Sequence, residues 1–161
     1  MSALRRRLCL VAASLLVGAC AAPAPPMSPQ LVSHLGYQAL GPEMQMGEQL
    51  VTVWVPAAPP PAAGAPVLSP EATVALAAAS SPMISDLAQV MARGAREPVN
   101  LAVGGPDSAL TVQVLIRALR AVPAAVPNLR IAFVGQPVDV NELLAVAGQR
   151  RASLQFELAP K

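Results

Sequence analysis

Histidine, cysteine and charge are all scarce in this chain. Its 161 residues hold one histidine, His34, two cysteines, Cys9 and Cys20, and only 12% charged residues. A single histidine excludes ligand sets built on imidazoles, so any metal site would have to consist of carboxylates, and the nine Asp and Glu residues are scattered singly. The usual motifs of nucleophilic and zinc-dependent catalysis are missing: no Gly-x-Ser-x-Gly elbow, no Ser-x-x-Lys pair and no His-Glu-x-x-His helix occurs. Phosphate-cradling loops of the Gly-x-Gly-x-x-Gly or Gly-Lys-Ser/Thr kind are missing too. The expectation is a protein that is not an enzyme, with no catalytic residue, no metal and no small-molecule cofactor. Carboxylates brought together from distant positions are the remaining route to catalysis.

Long apolar runs are absent as well. The longest near the N-terminus is Leu8 to Gly18, preceded by Arg5, Arg6 and Arg7. A bilayer-spanning helix needs about 20 apolar residues, so this run fits the apolar core of an export signal and not a mature membrane span. It ends in Val17-Gly18-Ala19-Cys20, an order of apolar, small, small, cysteine. These first 20 residues resemble the lipobox signal of bacterial lipoproteins. The resemblance implies that residues 1–19 are a signal peptide, cleaved after Ala19. It also implies that the Cys20 thiol takes a diacylglycerol and that the freed amine is acylated. The chemistry requires a thiol, because sulfur is the nucleophile that accepts the lipid. Ala21 stands where a retention signal carries Asp, which implies sorting to the outer membrane with the domain on its periplasmic face. The alternative is a plain secretory signal in which the cysteine is incidental.

Cleavage changes the charge. The precursor has 11 Lys+Arg against 9 Asp+Glu, and loss of the three arginines turns a net charge of +2 into −1. A nucleic-acid partner needs a clustered basic face, and none remains. Cys9 leaves with the signal, so the mature domain has no disulfide and relies on its apolar core.

Residues 20–30 read as the lipidated cysteine followed by a Pro/Ala-rich tether, "AAPAPPMSP" at 21–29. The remaining 31–161 read as one domain, interrupted at 56–70 by "PAAPPPAAGAPVLSP". So many prolines exclude a helix or a central strand there and predict a long exposed loop. Ser28-Pro29 opens a short helix expected to stop near Gly36. Val51, Val53 and Val55 alternate with Leu50, Thr52 and Trp54, which predicts a strand over 49–55. Ser69-Pro70 and Ser81-Pro82 are serine-capped helix starts, and Ile84, Leu87, Met91 and Ala95 keep one buried face on the second helix. Strands at 99–103, 129–134 and 152–158 alternate with helices at 107–122 and 139–148. In the last strand Leu154, Phe156 and Leu158 face inward, and Ser153, Gln155 and Glu157 face water. The fold class is therefore α/β: a small sheet of about four strands with crossover helices, in the order β-α-β-α-β-α-β.

The 107–122 helix is apolar over most of its circumference, with only a narrow polar stripe of Gln113, Arg117 and Arg120. Two accounts stand: a helix wedged between sheet and neighbouring loops, or one whose free face docks a partner protein. Gly104–Ser108 and Gly135–Asp139 are both strand-to-helix turns, where α/β folds place ligands and where free N–H groups can hold an anion. Helix capping explains the same residues: Asp139 and Glu142 form a capping box, with Val138 and Leu143 as a hydrophobic staple. The stretch 68–122, with its strand, its glycine turn carrying Asp107 and its arginine-bearing helix, resembles the OmpA-like peptidoglycan-binding domain. That resemblance implies a ligand site of Asp107, Ser108, Arg117 and Arg120, with an Asp–Arg pair taking the carboxylate and amine of a diaminopimelate group. The helix lacks that family's usual Asn, and its Asp-to-Arg separation is shorter. The leading expectation is a non-enzymatic accessory of an envelope complex of secretion, pilus or export type. It would be held to the membrane by lipid and to a protein partner by its domain. A peptidoglycan- or small-anion-binding module is the alternative.

Overall fold

The computed structural model describes residues 27–137 and 140–159. Cys20, the signal segment and most of the tether lie outside the described residues, as do Val138 and Asp139. Helix α1 (Pro29–Leu40) is followed by a 3-10 turn, then by β1 (Leu50–Trp54), α2 (Pro70–Ala79) and α3 (Met83–Ala92). Strand β2 (Val99–Gly104), α4 (Ser108–Ala121), β3 (Leu129–Gly135), α5 (Val140–Gln149) and β4 (Ser153–Leu158) complete the chain. The α/β class expected from the sequence is the class observed.

The four strands pair in chain order, β1-β2-β3-β4, and every pairing is parallel. Parallel neighbours need crossovers, and crossovers of one hand that step in one direction all fall on the same face. Side chains divide accordingly. Leu101, Val103, Ile131 and Phe133 point into a large core shared with α2 to α5. Ala102, Ala132 and Val134 point the other way, into a smaller cluster under α1. Strands β2 and β3 are apolar almost without interruption because both their faces are covered.

Four expectations change in the structure. Helix α1 does not stop at Gly36 but runs to Leu40, because Gly36 lies against Ala102, where a side chain of its own would overlap the Ala102 methyl. Closeness to the sheet, not chain termination, is what this glycine provides. The domain also begins earlier than 31: Met27 packs against the α1-side cluster, and Ser28 caps α1 by accepting a hydrogen bond from the Leu31 N–H at 3.2 Å. Ser69 caps α2 in the same way, at 3.2 Å from the Ala72 nitrogen. Ser81 makes no such bond; α3 starts two residues later, without a side-chain cap, and Ala95 is exposed. In β4, Leu154 and Phe156 pack inward and Phe156 stacks on Phe133, whereas Leu158 is exposed and Gln155 bonds to Glu43.

Helix α4 settles one question directly. Eight of its side chains are buried, against α2, α3, α5 and the sheet. Most of its wide apolar circumference is consumed inside the domain, which is the wedged arrangement.

Candidate functional site

A broad apolar concavity lies at the end of the sheet where the strands finish. The Val55 N–H bonds to the Gly104 carbonyl at 2.9 Å, extending the β1–β2 ladder by one step. Beyond it the chain cannot continue as strand, because Pro56, Pro59, Pro60 and Pro61 have no N–H to offer. The segment instead arches outward, turns at Gly64 (φ +83°) with the Ala65 N–H on the Ala62 carbonyl, and returns to the Ser69 cap of α2. Leu110 and Val114 of α4 form the floor beneath this arch, and Leu76 and Ala77 of α2 form a wall.

The half-open groove measures about 710 Å³, within the size range of small-ligand sites. Its lining is aliphatic, apart from the hydroxyls of Thr73, Ser80 and Ser81. No ionisable side chain lines it. Val67, Leu68 and Leu76 at its rim are exposed, and Val67 fully so. Such a site can hold an apolar group. The sequence disclosed the loop but not the groove, since the cavity exists only because the alanine-rich α2 leaves space between loop and α4.

The residues singled out from the sequence are not brought together here. Asp107 is the cap of α4: its Oδ1 accepts a hydrogen bond from the Leu110 N–H at 3.0 Å. Ser108 Oγ accepts one from the Gln136 N–H at 2.8 Å, which ties the 104–108 turn to the turn after β3. Arg117 Nη2 reaches the Ala75 carbonyl at 3.4 Å, and Arg120 Nη2 bonds to Glu142 Oε1 at 3.0 Å. At 1.5 Å of rise per residue, Arg117 stands about 15 Å along the helix axis from Asp107 and Arg120 about 20 Å. One diaminopimelate group cannot bridge Asp107 and Arg120 in this arrangement. Glu142 is in the first turn of α5 and is engaged by Arg120, while its expected capping partner, Asp139, lies outside the described residues. His34 is exposed on α1. Among the described residues no three His, Cys, Asp or Glu side chains gather as a metal site would require.

A polar cluster that the sequence did not disclose sits at the opposite end of the sheet, under the α1 side. Glu48 Oε2 accepts hydrogen bonds from Asn100 Nδ2 and Arg130 Nη1, both at 2.9 Å, and Arg130 Nη1 also reaches Asn100 Oδ1 at 3.1 Å. The Asn100 hydrogen bond, helped by the Arg130 charge, holds the Glu48 carboxyl below the usual carboxylate range, although burial pushes the other way. The bonds to Oε2 tie the starts of β2 and β3 to the segment before β1, so the cluster acts as a clamp, while Glu48 Oε1 is buried without a hydrogen-bond partner. Arg150 plays a comparable part elsewhere, donating to the Leu119 and Arg120 carbonyls at the end of α4.

No protein-family model, curated protein or solved structure matches this chain.

Proposed function

We propose that the chain is an outer-membrane-anchored periplasmic lipoprotein, a non-enzymatic structural or assembly accessory of an envelope complex, and that it works by apolar contact at the groove under the proline-rich loop. The groove carries this reading: it is a broad concavity of about 710 Å³ with a mainly aliphatic lining that holds no ionisable side chain. Its exposed rim of Val67, Leu68 and Leu76 extends the apolar surface outward. The anchor comes from the Arg5–Cys20 signal and its lipobox order. Helix α4 enters this surface only through Leu110 and Val114 at the groove floor, most of its other apolar side chains being buried against its own neighbours.

Mass spectrometry of the N-terminal peptide from protein expressed in a bacterium with an outer membrane tests the anchor. The expected result is a peptide starting at Cys20 and carrying three acyl chains, in protein recovered with the outer membrane. A Cys20→Ala chain is expected to lose both the lipid and the membrane association. Recovery of an unmodified cysteine from a water-extractable protein would overturn the reading.

A further inference from the structure

The groove's chemistry narrows what can occupy it. Five prolines of the arch (Pro56, Pro59, Pro60, Pro61 and Pro66) line it without a backbone N–H among them. A peptide backbone lying there would give up hydrogen bonds to water and find few donors in return, which is costly. An alkyl chain has no such requirement and needs only aliphatic surface, which Val67, Leu76, Leu110 and Val114 supply.

The chain's own course identifies a source. Met27 packs on the α1-side cluster with Val32 and Val134. Val32 in turn abuts Gly104 so closely that a β-carbon there would lie 2.6 Å from its Cγ2. The next residue, Gly105, lies against the Val55 carbonyl, and Val55 is where the groove's wall begins. Met27 therefore lies at the end of the sheet where the strands finish, the end that also carries the groove, though on the α1 face of the sheet and not the face of α2 and α4. Cys20 is seven residues further back, a reach of at most about 25 Å. An acyl chain adds about 15 Å, half the roughly 30 Å hydrocarbon thickness of a bilayer.

We infer that the groove receives one acyl chain carried on Cys20, so that the domain shelters part of its own anchor. This rests on the lipoprotein reading and specifies the occupant of the same groove. Burying that chain removes its methylenes from water whenever the domain is away from the bilayer, and gives the otherwise exposed rim a partner that travels with the protein.

The full chain can be tested in cells fed a diazirine-bearing palmitate, irradiated, and analysed by mass spectrometry of crosslinked peptides. The expected product joins the Cys20 peptide to peptides from 55–82 or 108–116 of the same molecule. Leu76→Asp, at an exposed position on the wall, is expected to abolish that crosslink while Cys20 still carries the label. Leu158→Asp, equally exposed on β4, is expected to leave it unchanged. Labelled Cys20 that crosslinks only to phospholipid, to other proteins or to other surfaces of the domain would overturn the inference. A phospholipid adduct on the groove peptides would do the same, by showing a bilayer lipid as occupant. Absence of label from Cys20 would remove the lipoprotein reading and this inference with it, a result distinct from a labelled but uncrosslinked chain.

Discussion

Ser108 Oγ accepts a hydrogen bond from the Gln136 N–H at 2.8 Å, across 28 residues of sequence. This bond fastens the turn after β2 to the turn after β3, at the edge of the sheet where ligand sites of α/β folds usually form. Here those turns are occupied with holding one another. Ser108→Ala is expected to cost about 1 kcal/mol, the value of a hydrogen bond whose partner is left half-buried. Chemical denaturation with an unchanged slope checks this, and a loss below a few tenths would show the bond to be dispensable.

Asp107 is expected to matter as a cap and not as a charge. Asp107→Ala should lower stability by about 1 kcal/mol, whereas Asp107→Asn or Asp107→Ser should stay within a few tenths of the parent. Sedimentation with purified peptidoglycan sacculi provides the complementary readout. Binding that depends on Asp107 and Arg120 would point to a ligand site that their present separation does not form.

Gly36→Ala sets two effects against each other. Alanine is the better helix former by about 1 kcal/mol, yet its β-carbon would overlap that of Ala102. Overpacking of this kind costs about 1–3 kcal/mol, so the net change is expected to be destabilising. Ala102→Gly in the same chain should restore part of the loss, and a double-mutant cycle measures the coupling.

The Glu48 clamp should be visible in the pH dependence of stability. Its folded carboxyl titrates below the ordinary value of 4.5, so its contribution is fully present above that pH and disappears as the pH falls through the folded value. Denaturation midpoints measured between neutral and strongly acid pH are expected to decline less steeply below pH about 4.5 in Glu48→Gln than in the parent. Asn100→Ala, which removes the largest cause of the shift, should raise the folded value, so that the decline begins at the same pH but is smaller and ends at a higher pH.

Two arginines at the end of α4 should differ sharply. Arg120 pairs with Glu142 at an exposed site, and Arg120→Ala is expected to cost about 0–1 kcal/mol. Arg150 donates to two carbonyls at the last turn of α4, one of them part-buried. Arg150→Ala is expected to cost more, about 1–3 kcal/mol, and thermal melting of the two variants side by side would show the order.

Where burial on both faces dictates the residue types, the sequence is readable. Strand β2, expected at 99–103, occupies Val99–Gly104, and α4, expected at 107–122, occupies Ser108–Ala121. Gly36 misleads because a mid-helix glycine and a helix stop are identical in sequence; only Ala102, 66 residues later, tells them apart. The Glu48–Asn100–Arg130 cluster is hidden for a similar reason, its members being 52 and 82 residues apart from Glu48. Its signal was faint but present: Asn100 and Arg130 are polar residues within two otherwise apolar strands, and their side chains fall on the same face as Ala102 and Ala132. The proline-rich arch was legible as a loop, while the space beneath it depends on where α2 comes to rest.

Helix α1 touches all four strands, although it precedes every one of them in the chain. The strands lie in the sheet in chain order, so the platform beneath α1 is whole only when β4 is paired. The first helix of the domain thus rests on strands drawn from the whole length that follows it. A truncation that removes β4 should therefore loosen the opposite end of the sequence, the end from which the chain departs toward Cys20.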